Sequence, residues 1–314
     1  MPNLNDDTAP LILSADGVQI VIDVSTGTLV VVHWGRDVGD ADFTPSPHDP
    51  GLWRENARGF LGRPALIGDR DGHDWSPKFE VSRVESNATS VTIESVDAAA
   101  SLLVTATFEL APAGVLTVSQ AVTNTGDSPY RLHELTTWLP LPAHATDTLD
   151  FTGHWGHERQ PQRRPIQVGA WSRESREGRS GTDHTIVQLA LSDGAGFRDG
   201  EVWALGVQWS GNLRQIVERV ATGAASSAAT AIGAGELLLP GEVVLGAGET
   251  YAAPSIARFC KHRNVEQHHF CDNASAEFDR RAIVQPLAVG GDFNQANVAG
   301  MGQRCSSGPV AWKS

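Results

Sequence analysis

The sequence predicts an all-β fold, an antiparallel β-sandwich or barrel followed by a short irregular C-terminal tail. Runs of alternating apolar and polar residues recur through residues 1–256, and this period of two places every second side chain on one face of a strand. Turn-forming pairs such as Asp16-Gly17 and Ala113-Gly114 separate the runs. The 32 glycines and 17 prolines also favour many turns over long helices, and no alternation of strands with helices occurs.

Each alternating run predicts one strand. Residues 102–124 predict a long hairpin of two strands, residues 102–110 and 115–124, with a turn at residues 112–114. The other expected strands are residues 11–14, 18–23, 28–34, 79–84, 90–96, 132–140, 185–191, 202–209 and 236–245. Strands this short and this numerous are typical of one large β-domain, which residues 1–256 are long enough to form.

Residues 257–314 are a second region with a different composition. All three cysteines (Cys260, Cys271 and Cys305) lie there, and residues 255–314 contain seven Lys and Arg against five Asp and Glu. No period of 2 or of 3.6 persists in this region. We interpret it as the product of a reading-frame shift near residue 257. The alternative is a genuine disordered tail.

Charge and hydropathy argue against several classes of partner. A chain with a net charge of −13 repels nucleic acid and anionic membrane surfaces, so we expect neither as a partner. No apolar run approaches the about 20 residues of a membrane span, and the N-terminus lacks a signal peptide's basic and apolar regions, which predicts a cytoplasmic protein. We expect no cofactor, since Gly233-Ala-Gly235 is followed by Leu238 where a dinucleotide loop needs glycine.

Two groups of residues have partial metal-ligand spacing. His154, His157 and Glu158 match neither the His-Glu-x-x-His nor the His-x-x-Glu-His motif, and we interpret them as coincidental. The second group comprises Cys260, His262, His268, His269 and Cys271. Its spacing differs from that of zinc sites, so we predict no metal and keep zinc in the tail as the less favoured alternative.

Four segments contain signatures shared within one enzyme family. They are residues 150–165 (DFTGHWGHERQPQRRP), 171–184 (WSRESREGRSGTDH), 201–212 (EVWALGVQWSGN) and 235–255, which begins GELLLPGE and ends GETYAAPS. The most specific match is Trp209-Ser-Gly-Asn212 within the third segment. By these residues, the region from about residue 10 to residue 256 resembles glycoside hydrolase family 36, in which α-galactosidase is the typical activity.

The resemblance implies that residues 1–256 form the family's N-terminal β-supersandwich, which precedes a catalytic (β/α)8 barrel. Such a barrel needs about 250 residues. The 58 residues after residue 256 show no strand–helix alternation, and the family's Lys-Trp-Asp nucleophile motif is absent. We therefore assign no catalytic residue and expect a truncated α-galactosidase-like protein that is inactive alone.

The same resemblance implies an α-galactoside or galactose as ligand, and a barrel domain or a second copy of the chain as protein partner. Two alternatives stay open. One is a free-standing carbohydrate-binding or scaffold module, and the other is one half of a split α-galactosidase.

Five residues are candidates for contact with a sugar, namely Asp37, Trp53, Asp74, Trp209 and Asn212. Asp37 and Asp74 lie in acidic loops, and Trp53 is a tryptophan near them in the sequence. Sugars bind to aromatic faces beside polar hydrogen-bonding groups. The alternative role of these three residues is that of solvated carboxylates and a packed tryptophan. The last two offer an indole and an amide, but we favour a structural turn there, with Gly211 at positive φ.

An arginine cluster stands out in an otherwise acidic chain. It consists of Arg159, Arg163, Arg164, Arg173, Arg176 and Arg179. Guanidinium groups bind anions and also pair with carboxylates. We favour pairing at a domain interface, because the resemblance implies that this domain packs on a barrel.

Overall fold

The computed structural model describes residues 9–263 except 40, 42, 44, 46–48, 180, 197–198 and 222–227. In this part of the chain, strands account for all regular structure apart from a short 3-10 turn at Asn56–Arg58. The strands are β1 Leu11–Ala15, β2 Val18–Asp23, β3 Val30–Arg36, β4 Leu66–Asp69, β5 Glu80–Ser86, β6 Ser90–Asp97, β7 Leu102–Leu110, β8 Leu116–Asn124, β9 Tyr130–Leu135, β10 Thr137–Leu141, β11 Ala145–His154, β12 His157–Pro165, β13 Gly169–Ser175, β14 Val187–Ser192, β15 Gly200–Val207, β16 Leu213–Ala221, β17 Ala228–Glu236, β18 Val243–Leu245, β19 Thr250–Ala252 and β20 Ile256–Arg263.

The described strands form four antiparallel sheets, and the largest has ten strands. Its order is β12-β11-β14-β15-β20-β8-β7-β6-β5, and β19 pairs with β8 next to β20. A four-stranded sheet, β10-β17-β16-β13, contacts it through β17 against β15 and through β10 against β8. The three-stranded sheets β1-β2-β3 and β18-β9-β4 complete the fold. The prediction of an all-β sandwich is therefore confirmed.

Alternating side chains explain why the central strands form. On β7, five apolar side chains are at most 3% exposed, and the residues between them are more exposed: Leu102, Val104, Ala106, Phe108 and Leu110. The pairs Val104↔Val122 and Phe108↔Val118 extend this apolar face onto β8. Cross-strand apolar pairs of this kind stabilise a sheet and bury its inner face.

Tryptophans fill much of the core. Four of them are at most 4% exposed: Trp34, Trp53, Trp138 and Trp203. The backbone makes room for one of these rings, because a Cβ atom at Gly233 would lie 2.6 Å from ring atoms of Trp138. Only glycine permits this close approach of β17 to the indole.

The predicted strand positions agree best where apolar side chains face the core, on one face of β7 and on both faces of β2. The strands predicted at residues 18–23 and 102–110 are confirmed residue for residue. The single strand predicted at residues 132–140 is wrong, because β9 and β10 belong to different sheets. Thr136 separates them, and its backbone N–H donates to the carbonyl oxygen of Ala65, outside both strands.

The single strand predicted at residues 236–245 is also wrong. The chain turns after β17 at Gly241, which has φ +79°, and only β18 follows as a strand. The strands β4, β11, β12, β13, β16, β19 and most of β17 were not predicted. β12 was missed because its side chains are exposed or half-buried on both faces, so its sequence lacks the alternation of apolar and polar residues that predicts a strand.

The last described strand extends past the predicted domain boundary at residue 256. β20 pairs with β15 from Ile256↔Val207 to Arg263↔Gly200, and its first residues also pair with β8. Residues 257–263 therefore form a strand inside the largest sheet. The rest of the predicted tail, residues 264–314, lies outside the described residues.

Candidate functional site

The two predicted acidic residues lie in separate exposed or half-exposed turns. Asp37 follows β3, and its Oδ1 accepts a hydrogen bond of 2.8 Å from the Gly39 backbone N–H. Asp74 has φ +56°, and its Oδ2 lies 3.2 Å from Nε of Arg70. Each carboxylate thus has a local partner within its own loop or turn.

Trp53 lies in the core. It is 1% exposed, and its ring centroid is 5.7 Å from that of Phe79. A small cleft lined by Trp53 also includes Glu55 and the exposed Trp75, but neither of the two predicted aspartates. The structure therefore does not bring the three predicted loop residues together in this cleft, and their contact with a sugar stays a prediction.

The Trp-Ser-Gly-Asn motif connects loops of the domain. The side-chain oxygen of Asn212 accepts a hydrogen bond of 2.8 Å from the backbone N–H of Gly178. The backbone carbonyl oxygen of Asn212 accepts another, of 3.0 Å, from the backbone N–H of Leu237. Gly211 does not have the positive φ that we expected. It is needed for another reason, since a Cβ atom there would lie 2.4 Å from Nε1 of Trp209. These contacts support the structural role of the motif.

Sequence analysis missed a network of alternating charges on the four-stranded sheet and its neighbours. Glu218 binds the guanidinium of Arg54 and accepts from the backbone N–H of Arg63 at 3.1 Å. The side chain of Arg63 binds Glu134, which also binds Arg214. These residues are separated by 71 to 164 positions, so no local motif could have revealed them.

The electrostatics of this network follow from burial and pairing. Burial lowers the pKa of Arg54 to about 10, and the neighbouring Glu218 carboxylate offsets part of that effect. The hydrogen bonds from Arg63 to Glu134 raise the pKa of Arg63 above its ordinary value. Arg54 is also held between two rings, with its Cζ 4.5 Å from the Phe60 centroid and 3.9 Å from the Trp138 centroid.

A second polar cluster joins the edge strands β12 and β13. Asp150 is 2% exposed and accepts a hydrogen bond of 2.8 Å from the indole N–H of Trp171. The guanidinium of Arg164 stacks 3.6 Å from the Trp171 centroid, and nitrogens of Arg164 and Arg173 lie 3.9 and 3.8 Å from Asp150. Four of the six predicted cluster arginines contact carboxylates, with Arg163 and Arg176 beside Asp147 and Glu174.

Exposed aromatic, apolar and basic residues lie on these edge strands and on the turns that flank them. We call this surface the β12–β13 rim and define it by Trp155, Arg159, Arg164, Val168 and Trp171. Trp155 is 87% exposed at the tip of the β11–β12 hairpin, and Val168 is 68% exposed. Exposed large apolar groups of this kind commonly mark surfaces that contact another molecule.

Two histidines lie close together at the hairpin tip. The rings of His154 and His157 are 5.5 Å apart. Among the residues that the structure describes, no group of three or more His, Cys, Asp or Glu is placed to hold a metal ion. The side chains of Cys260, His262, His268, His269 and Cys271 lie outside the described part of the chain.

The fold is that of a large antiparallel β-sandwich domain. The model of the glycosyl hydrolase family 36 N-terminal domain matches residues 27–246, so the chain belongs to this family through that domain. The segments in which we noted a resemblance lie within this match, apart from the last residues of the fourth.

Two curated relatives are α-galactosidases. The α-galactosidase of Escherichia coli is 32% identical over 203 residues, which are 65% of this chain and 28% of that protein. The α-galactosidase AgaA of Geobacillus stearothermophilus is 31% identical over 131 residues, 41% of this chain and 18% of that protein. The chain thus spans less than a third of the length of these relatives.

Solved structures agree on the fold. The crystal structure of the family 36 α-galactosidase AgaB from Geobacillus stearothermophilus superposes with a TM-score of 0.72 at 20% identity, covering 83% of this chain and 41% of that one. At this identity the likeness shows the shared fold alone. Within the described residues, no helix has the length and apolar character needed to cross a membrane.

Proposed function

We propose that this chain is a non-catalytic β-domain of an α-galactosidase-type enzyme, and that hydrolysis of a terminal α-galactoside needs a separate catalytic domain. The observation that supports this most directly is the family match over residues 27–246, which covers the N-terminal domain of the family. The 32% identity to an α-galactosidase supports a galactoside as the substrate class of the complete enzyme. The predicted cytoplasmic location stays a prediction.

The chemistry of the described carboxylates supports inactivity of the domain alone. Glycoside hydrolysis typically uses a pair of carboxylic groups that flank the scissile bond, one of which must exchange protons. The buried carboxylates Glu134 and Glu218 are instead bound by arginines, and Asp150 lies between two arginines and an indole N–H. These three carboxylates are thus engaged by cations or donors within the domain.

We propose the β12–β13 rim as the surface on which the catalytic domain packs. Its exposed tryptophan and valine offer apolar contact area, and its arginines offer charge to an acidic partner. In the network beneath the rim, Asp150 positions Trp171 and therefore fixes the shape of this surface.

The test is hydrolysis of 4-nitrophenyl α-galactoside by the purified full chain, with galactose binding measured by calorimetry on the same sample. We expect no turnover by the chain alone. Turnover that persists through repeated purification would refute the proposal. Galactose binding without turnover would favour the free-standing binding module instead.

A second experiment tests the rim. The catalytic region of the Escherichia coli relative is produced separately and titrated with the chain, and complex formation is followed by light scattering. We expect Trp155→Ala to weaken association at least tenfold, and Trp75→Ala, a change at an exposed tryptophan outside the rim, to leave it unchanged. Equal effects of the two substitutions would show that the rim is not the docking surface, and recovery of turnover in the mixture would support a split enzyme.

A further inference from the structure

One edge of the four-stranded sheet is open along β13. β13 pairs with β16 over its whole length, and among the described residues no strand or backbone hydrogen bond occupies the other side of β13. Residues 169–172 are exposed, as expected at an uncovered edge. Because alternate residues of an antiparallel strand direct their N–H and C=O groups to opposite sides, about half of these groups in β13 point away from β16. The sheet therefore ends in a row of free backbone donors and acceptors.

β13 also lacks the features that protect other long edge strands from pairing. Such protection commonly comes from proline or from a bulge. The largest sheet has both at its edges, with Pro161 and Pro165 in β12 and a register shift between Val81 and Arg83 in β5. β13 contains no proline, and its seven residues pair with β16 without a register shift. An extended segment can therefore add to this edge as a fifth strand.

The charges around β13 favour an acidic segment. The network of alternating charges reaches this strand at Glu174, which lies 2.6 Å from Arg176 and 2.7 Å from Arg214. From Arg54 to Arg176 the network contains four arginines and three glutamates, so one positive charge is in excess. On the opposite face of β13, Asp150 has guanidinium nitrogens of two arginines at 3.8 and 3.9 Å. Each face therefore has more guanidinium groups than carboxylates, and a negatively charged partner complements both.

We infer that the open edge of β13 binds an extended acidic segment of a partner protein, which adds to the sheet as a strand. Apolar side chains of this segment contact Trp171, which is 38% exposed, and its carboxylates lie on the face of Ser172. A second copy of the chain fits less well, because two β13 edges bring the same excess positive charge together. The inference rests on the proposed role of the rim as a docking surface and adds that the partner contributes a backbone strand.

The test is hydrogen–deuterium exchange of the full chain with a ten-residue peptide of alternating valine and glutamate, acetylated and amidated at its ends. In the free chain, about half of the amides in residues 169–174 should exchange rapidly. At saturation with the peptide, we expect their exchange to slow at least tenfold. A peptide of alternating valine and lysine should bind at least tenfold more weakly. The acidic peptide with N-methylated backbone amides should not bind, because it cannot donate to β13.

Ser172→Glu tests the position of the added strand, and Ser86→Glu is the matched control. Both serines are exposed, one on β13 and the other at the end of β5. We expect Ser172→Glu to weaken binding of the acidic peptide at least threefold and to strengthen binding of the basic one, and Ser86→Glu to change neither. Slow exchange of residues 169–174 in the free chain, equal binding of the two peptides, or equal effects of the two substitutions would each overturn the inference.

The same exchange measurement on the mixture with the catalytic region of the Escherichia coli relative separates this inference from the proposed function. Association that slows exchange in residues 169–174 supports both. Association without that protection would overturn the inference and leave the rim as a docking surface formed by side chains. Protection by the acidic peptide without association of the catalytic region would support an acidic strand as partner and show that the catalytic domain docks elsewhere.

Discussion

Replacing Arg258 with methionine should stabilise the protein. Arg258 is completely buried on β20, and its only hydrogen bond within the described residues runs from Nη2 to the Thr137 carbonyl oxygen at 3.2 Å. Its Nε and Nη1 have no partner there, and burial holds its pKa well below the ordinary value. The nearest aromatic ring, that of Trp34, is 5.9 Å from the guanidinium carbon. No carboxylate among the described residues pairs with this buried cation.

The size of the effect follows from these contacts. Each buried donor without an acceptor costs about 1–3 kcal/mol, whereas the one hydrogen bond that is lost contributes about 1 kcal/mol. Methionine has a similar length and fills the space without polar atoms. We therefore expect the free energy of unfolding to rise by about 2–4 kcal/mol. For a domain of this size, that corresponds to a Tm increase of about 4–15 °C.

The assay is thermal and urea unfolding of the full chain, followed by circular dichroism. Arg219→Met is the control, because Arg219 donates to Thr230 Oγ1, Ile166 O and Ala145 O at 3.0 to 3.1 Å. The same substitution there should lower stability by about 1–3 kcal/mol. If Arg258→Met lowered the Tm as Arg219→Met does, burial of the unpaired cation would not be the dominant effect at position 258, and the reasoning would be refuted.

Three further predictions concern the sheet, a buried histidine and the Trp-Ser-Gly-Asn motif. A chain that ends after Ser255 lacks β20 and should lose cooperative unfolding, whereas a chain that ends after Arg263 keeps this strand in the largest sheet and should unfold cooperatively. Equal Tm values of the two truncated chains would show that β20 contributes nothing. Burial lowers the pKa of His184, so the unfolded chain binds a proton at this residue more readily than the folded chain does. The free energy of unfolding should therefore fall as the pH drops below about 6.5. In urea titrations the variant His184→Gln should lose this part of the pH dependence, and an unchanged dependence of stability on pH would contradict the prediction. Gly211→Ala should lower the Tm, because the new methyl group meets the Trp209 ring, and Gly211→Ala at wild-type Tm would show that the ring moves freely.

The sequence is most informative where a strand is rich in apolar side chains that face the core. β2 and β7 were predicted because their apolar side chains face the core in register with their neighbours. β16 was missed although it is largely buried, since its sequence places Arg214, Gln215 and Glu218 among the apolar residues. The two charged groups are paired by distant residues, Arg214 with Glu134 and Glu218 with Arg54. Nε2 of Gln215 has no hydrogen-bond partner among the described residues. The partner of a buried charge is a property of the tertiary fold, and a local pattern of hydropathy does not contain it.

The candidate site residues also show that local motifs do not reveal contacts made by the tertiary fold. The Trp209-to-Asn212 motif identified the family, yet in the structure it mainly connects loops. Arg54 had no recognisable motif, and the 164 positions between it and Glu218 hide their pairing from any analysis of local sequence. Trp53 was a candidate for sugar contact because it lies near the acidic loops in the sequence, with a packed tryptophan as the alternative. In the structure its indole is buried and packs against Phe79.

The place of β20 in the largest sheet affects how the chain is made. β20 lies between β15 and β8, so it joins the strands β5 to β8 with the strands β11, β12, β14 and β15. A ribosome adds about 5–20 residues per second, and β8 therefore waits about 7–25 s after its own synthesis for the strand that covers its edge. During that interval the nascent protein has an open backbone edge at residues 116–118. Slow translation of the intervening codons lengthens this exposure, and the yield of correctly folded protein in a cell thus depends on the speed of synthesis as well as on the stability of the product.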